Sequence, residues 1–323
     1  MVKLTRRSLV ATAALAPFAA RAQGWPSGTI RLVVPFPPGG SVDAIARMAQ
    51  TGLQQRLGAN VIIENRTGAS GSTGTGMVAK APPDGMTWLF VFDTHAVNPF
   101  LLPNLAFDTE KDLDPVLLIG TAPNVLCAHP SRPYLSLGDV ITAAKAKPET
   151  ITYGTIGAGS IGHLSMTMLS NRAGVKLVHV PYRGGGPLLN DTIAGHVDLT
   201  MASTRLLGPH LSGGKTRPLA HTGKTRLADF PSIPTVMEEG FPGFETYAWW
   251  GVFAPAGTQK PIVDRFGAAL VASLREEHVA RQLVETQLIA LSLGGPETLR
   301  TFLGEQMRLW SQVIRDNNIK GDA

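Results

Sequence analysis

The sequence predicts an α/β protein of two lobes, with mixed sheets flanked by helices and a hinge between the lobes. Three observations carry this. Short β-rich runs alternate with helical patterns from Ile30 almost to the end of the 323-residue chain, which is the βαβ rhythm of parallel or mixed sheets. The part beyond the N-terminal segment is too long for one simple core and suggests two domains of roughly 100 to 200 residues. No charged or low-complexity linker divides it, and no repeat is present, so the second lobe is expected as an insertion in the first. The expected boundaries are a signal peptide over 1–22, lobe 1 over 23–122 and 223–323, and lobe 2 over 123–222.

At the N-terminus, Lys3, Arg6 and Arg7 precede the apolar run Leu9 to Ala20, which ends in Ala20-Arg21-Ala22. A positive n-region, a short h-region and a small-x-small site make a secretory signal peptide with cleavage after about Ala22. The run is well short of the ~20 residues needed to span a bilayer. Thr5 to Val10 also has the form of a twin-arginine signal, with Leu9 where Phe is preferred, so the export route stays open between the two pathways. The segment holds four cations (Lys3, Arg6, Arg7, Arg21) and no acid, so its removal takes the formal net charge from +5 to +1. A mature chain so close to neutrality lacks the basic surplus of a nucleic-acid binder. Cys127 is the sole cysteine, which excludes an intrachain disulfide and reads as a small packed hydrophobe.

The strand candidates in order are 30–34, 61–64, 88–92, 116–120, 125–128, 151–154, 177–180, 197–201 and 250–254. Helices are expected over 41–57, 137–146, 162–173, 187–194, 261–274 and 296–314. The last has Leu299, Phe302, Leu303, Met307, Trp310, Val313 and Ile314 mostly at steps of three and four, a core-facing stripe. Pro261 and Pro296 stand where a first-turn proline is tolerated.

Four Gly-rich loops each follow a strand and open a helix, the place where open α/β sheets bind ligands and where free N–H groups receive anions. The first, Pro35 to Asp43, contains Phe36, Gly39 and Gly40; Asp43 fits both a first-turn capping carboxylate and a ligand contact. The second, Arg66 to Gly74, reads as a supporting turn. The third, Thr155 to His163, holds Gly157-x-Gly159-x-x-Gly162 between strand and helix, the dinucleotide fingerprint. The acid that should hold the ribose at the end of the next strand is missing, because that strand ends His179-Val180-Pro181-Tyr182. Anion capture by Thr155, Ser160 and nearby N–H groups survives. The fourth, Val180 to Pro187, carries Tyr182, which fits either a ligand contact or a packed tyrosine, and Arg183, which can meet a carboxylate or point to solvent. The histidines are scattered without metal-ligand spacing and no Gly-x-Ser-x-Gly elbow is present, so no metal, cofactor or nucleophile is expected.

Together these stretches resemble the substrate-binding receptors of tripartite tricarboxylate transporters, the Bug receptors. The resemblance is carried by Ile30 to Gly40 with Asp43 and Arg47, Glu64-Asn65-Arg66 with Gly68 and Gly71, and Pro83-Asp84-Gly85. It continues through Asn98-Pro99, Tyr153-Gly154 with Gly157, Gly159 and His163-Leu164, and His179 to Gly184, then Pro234-Thr235 and Trp250-Gly251. It runs in order from about Thr29 to the C-terminal helix. Arg183 stands where the family often has Lys, and Thr94-His95 where it often has Ser-x.

The resemblance implies a periplasmic binding protein fold, a monomer, no enzymatic activity, and a small carboxylate handed to the transporter's membrane subunits. Carried over position by position, it points to Phe36, Gly39, Gly40, Asp43, Thr155, Gly157, Ser160 and His163 as ligand-binding, to which the fourth loop adds Tyr182. The carboxylate is expected to dock on backbone N–H groups and hydroxyls without a buried counter-cation, and lobe closure to bury it. The rival readings are a periplasmic nucleotide-dependent enzyme using the Gly157 loop and a receptor that feeds a sensor kinase.

Overall fold

The computed structural model describes residues 24–286 and 288–320, so the expected signal peptide lies outside the described residues. The chain opens with β1 (Ile30–Val34), α1 (Ser41–Leu57), β2 (Val61–Asn65), α2 (Ser72–Ala79), β3 (Thr87–Phe92), α3 (Thr94–Leu101) and β4 (Leu113–Ala128). Then come α4 (Leu137–Ala146), β5 (Thr152–Thr155), α5 (Ile161–Ala173), β6 (Val178–Pro181), α6 (Gly185–Ala194), β7 (Leu199–Ser203), α7 (Thr204–Ser212) and β8 (Arg217–His221). The chain closes with β9 (Tyr247–Pro255), α8 (Lys260–Leu274), α9 (Glu277–Arg281), β10 (Ala290–Gly294) and α10 (Pro296–Asp316).

Strand order is β2-β1-β3-β9-β4-β7-β5-β6, with β8 and β10 also on β4. In one lobe β1 pairs in parallel with β2 and β3, while β9 runs antiparallel between β3 and β4. In the other, β5 lies parallel between β6 and β7, and β7 and β8 flank β4 antiparallel. Each sheet is mixed and covered on both faces, as the sequence rhythm predicts.

Alternation along the strands builds the cores. Ile30, Leu32, Val34, Trp88 and Phe90 face α1 and α8, where Trp88 stacks on Phe266 at 3.7 Å, whereas Val33, Leu89 and Val91 face the side closed by Leu299 and Leu303 of α10. In the second sheet Leu126 and Ala128 face α4 and α5, and Val125 and Cys127 face α6 and α7. Burial pushes the Cys127 thiol up to about 12, which leaves it inert packing.

The two strands expected over 116–120 and 125–128 are one continuous strand, β4. It pairs with β9 from Leu113 to Pro123 and with β7 from Asn124 to Ala128, so it passes from one sheet into the other at Pro123-Asn124. Pro115 stands just before the first expected strand and Pro123 between the two. Proline is tolerated here because the ladder shifts register after Pro115 and changes partner after Pro123. The crossing is bound by polar side chains: Asn124 N–H donates to Thr222 Oγ1, Thr222 Oγ1 donates to the Thr246 carbonyl, and Ser165 and Thr246 share a hydroxyl bond at 2.8 Å.

Strand β8 ends at His221, beside residue 222, where lobe 2 is expected to end. Two later segments nevertheless pack on that lobe: Val236 and Phe244 join its core, as do Trp310, Val313 and Ile314 of α10. No helix among the described residues is long and apolar enough to cross a membrane.

Gly120 marks where β10 presses on β4, since a Cβ there would stand 2.5 Å from the Ala290 carbonyl oxygen. Gly120→Ala is expected to destabilise the protein by about 1–3 kcal/mol, read as a lower urea midpoint at unchanged slope.

Candidate functional site

The carboxyl ends of the strands of both lobes face one cleft of about 860 Å³, lined by residues of the first, third and fourth Gly-rich loops together with α3, the start of α7 and Trp250. Gly40, Ser160, Gly184 and Ser203 are the N-caps of α1, α5, α6 and α7. Each of these four residues lines the cleft. Three of the four helices have no side-chain cap, so their first-turn N–H groups and positive dipole ends are directed at the cleft. Among the described residues, no Asp or Glu lines it.

Of the residues expected at the site, Phe36, Gly40, Gly157, Ser160 and Tyr182 line the cleft. Phe36 is set edge-on to Phe92, and Trp250, held by a bond from its Nε1 to Ser41 Oγ at 3.0 Å, packs on the same Phe92. The Tyr182 ring faces the cleft, but its hydroxyl turns away to Asp191 Oδ2 at 2.8 Å. Burial and that carboxylate push the phenol up to about 12.

Gly39, Asp43, Thr155 and His163 stand behind the cleft wall and shape it. Asp43 Oδ2 accepts from Gly39 N–H at 2.9 Å and from Arg47 Nε at 2.8 Å, while Oδ1 accepts from Arg47 Nη2 and Asn65 Nδ2 at 3.0 Å. Asn65 Nδ2 also donates to the Phe36 carbonyl. Burial acts to raise the Asp43 carboxyl, but the bonds from Arg47, Gly39 and Asn65 outweigh it and hold the group below its usual range. The two readings of Asp43 left open by the sequence thus separate, and its carboxylate is occupied in folding the loop. Gly39, at φ +82°, makes the turn that this bond requires.

In the third loop, Thr155 Oγ1 donates to the Gly157 carbonyl at 3.1 Å and accepts from His179 Nε2 at 2.7 Å. Ser160 Oγ donates to the same carbonyl at 2.8 Å and accepts from His163 N–H, which caps α5. Gly159 N–H donates to His163 Nδ1 at 3.0 Å, which leaves the imidazole proton on Nε2. His163 and His179 stack face to face at 3.8 Å. Both hydroxyls are therefore committed to the loop's own carbonyl, and the main-chain N–H groups of the helix start remain as donors toward the cleft.

The sequence reading missed Thr94, Asn98, Leu101, Arg205, Leu206 and Trp250, all of which line the cleft. Most lie on α3 and α7, two helices absent from the sequence expectation; each carries a proline at its sixth position, Pro99 and Pro209, which argues locally against helix. The helix required after every inner strand, with Asp93 and Ser203 as candidate N-caps, was the available signal. Arg205 stands half-buried in the wall, and burial lowers its pKa from the ordinary arginine value.

Burial first, and then the neighbouring His163, pull His179 down to about 3, and burial alone does the same to His95. Both are neutral in the folded state and titrate near 6.5 when unfolded. Their contribution to stability is complete above about pH 6.5 and is lost as pH falls toward 3. Unfolding free energy should therefore fall between pH 7 and 4, and His179→Gln, which cannot take up the proton, should make that fall shallower in pH-resolved urea titrations.

The sequence profile of the tripartite tricarboxylate transporter family receptor matches residues 45–319. BugT of Bordetella pertussis is 32% identical over 313 residues, covering 96% of this chain and 95% of its own. The solved structure of the periplasmic binding protein BugD is similar at a TM-score of 0.80 with 29% identity, over 92% of this chain and all of that one (100%). The structure of R. palustris Rpa4515 with adipate gives a TM-score of 0.82 at 33% identity, over 92% of this chain and 99% of that one. With this agreement across both lobes, the chain belongs to the tripartite tricarboxylate transporter receptor family and has the fold of periplasmic binding proteins.

Proposed function

We propose that this receptor captures a small carboxylate in the periplasm by lobe closure and hands it to the membrane subunits of a tripartite tricarboxylate transporter. The observation that carries the reading is the convergence of four helix N-caps on a cleft whose described lining holds no Asp or Glu. Partial positive charge on oriented main-chain N–H groups favours an anion, and a carboxylate accepts such bonds with both oxygens. The similar R. palustris protein Rpa4515 was solved with adipate, an anion of this kind.

In this reading one carboxylate docks between the Gly40 and Ser160 loops, one from each lobe, with Gly157 approaching closely and Phe36 and Tyr182 walling the ligand body. Gly39, Asp43, Thr155 and His163 hold those loops in shape. Closure pivots where β4 changes sheets, with lobe 1 contributing the Gly40 loop and lobe 2, from Asn124 to about residue 222, the Ser160 loop. The receptor acts as a monomer, performs no chemistry, and reaches the periplasm after cleavage near Ala22.

Thermal-shift screening of small mono-, di- and tricarboxylates should find at least one that raises Tm; stabilisation by nucleotides with none by carboxylates would overturn the reading. Gly40→Val adds a side chain at the α1 N-cap, where the backbone is extended (φ −70°, ψ 172°) and the Pro37 carbonyl oxygen, 3.3 Å from the new Cβ, must give slightly. The affinity for that carboxylate is expected to drop at least about tenfold by calorimetry, with the Tm of the free protein within a few degrees of the parent.

A further inference from the structure

The two edges of β4 carry different parts of lobe 1. At Gly120 the strand pairs with Trp250 of β9 on one edge and with Leu291 of β10 on the other. Trp250 lines the cleft, whereas Ala290, the first residue of β10, lines a second cavity of about 150 Å³ on the far edge. Pro123, where β4 changes sheets, stands in the wall of that second cavity together with Leu288, Thr204 and Phe230. Helix α7 reaches both places: Leu206 lines the cleft, while Thr204 and, one turn further along the same face, Gly208 are turned to the second cavity.

Leu288 joins the lobes there. Its neighbour Ile289 and nearby Leu283 are fixed in the core of lobe 1, and Phe230 packs against the core of lobe 2. A Cβ on Gly208 would stand 2.7 Å from Leu288 Cδ1 and 3.7 Å from the Phe230 ring, so the end of the leucine is seated on bare main chain of α7, where any side chain would displace it. The backbone of Leu288 is left-handed at φ +51°, a conformation that a leucine keeps only where its surroundings hold it. Because the cleft and this seat lie on opposite edges of β4, a rotation of the lobes about Pro123-Asn124 that narrows the one widens the other.

We infer that Leu288 is a latch on the far side of the hinge: seated on Gly208, it opposes closure, and a ligand must unseat it to draw the lobes together. Part of the ligand's interaction energy is then used to break this contact, so the affinity observed is lower than the closed cleft alone would give. This rests on lobe closure as proposed above and adds to it the contact that sets how readily the lobes close. Gly208 and Leu288 both stand outside the described cleft wall, so the latch can be altered without touching the ligand.

Leu288→Ala empties the seat from lobe 1, and Gly208→Ala fills it from lobe 2. Small-angle X-ray scattering on the purified, ligand-free proteins should give both variants a smaller radius of gyration than the parent, at the parent's molecular mass and with cooperative urea unfolding. Leu288→Met, which keeps an apolar side chain of similar length, should stay at the parent value. Gly208→Ala, a change that favours helix, decides the matter where Leu288→Ala lowers stability too far. Adipate, benzoate and citrate are then added to the parent in turn, and an acid that compacts it should bind both variants about threefold or more tightly by calorimetry. Folded variants no more compact than the parent, while one of these acids does compact the parent, overturn the latch and leave closure intact. Compaction by neither variant and by none of the acids overturns both.

Discussion

The backbone of β4 must be satisfied on both of its edges in two different sheets, and the placement of everything else follows from that requirement. With β9 and β10 on its first half and β7 and β8 on its second, the strand is interior to each lobe and cannot slip or tear without orphaning buried amides. Pro123 has no N–H to be orphaned, and it immediately precedes the change of partner. In the proposed lobe closure, motion would fall in this short stretch, where Thr222 and Thr246 carry hydrogen bonds that adjust more easily than a ladder does. A rigid strand with one permissive joint aligns the two sets of strand ends on a common cleft.

What fills the rim of that cleft is mostly main chain. The third loop shows how its shape is maintained: a chain of bonds runs from His179 through Thr155 to the Gly157 carbonyl, and Ser160 closes on the same oxygen. The imidazoles at 163 and 179 stack behind it as a support. The first loop uses the opposite chemistry for the same end, an ionised Asp43 clamped by Arg47, Asn65 and Gly39 N–H. Each side chain so engaged faces its own loop, which leaves main-chain dipoles directed at the cleft.

Much of this was legible in the sequence. Alternating strands and helices, the Gly-rich turns and the C-terminal stripe have local causes, namely side-chain period, backbone permissiveness and capping, and these appear where expected. The longer reach of β4 was not legible, because the partners that make Pro115 and Pro123 acceptable, β9 and β7, lie far along the chain. Nor were α3 and α7, whose prolines argue locally against helix while packing on the neighbouring strands favours it. At the site, residue type identified the loops, but only the fold distinguishes Gly40 and Ser160 at the wall from Asp43 and His163 behind it. Arg205 escaped notice for the same reason, since nothing in its neighbours along the chain distinguishes it from a solvated arginine.

The C-terminal helix bears on how the protein is made. Its first half seals a core built from the opening strands, and its second half, through Trp310, Val313 and Ile314, seals a core built from the middle of the chain. The second lobe therefore lacks part of its apolar floor until α10 has docked. One helix completes both cores, which ties the folding of the two lobes together.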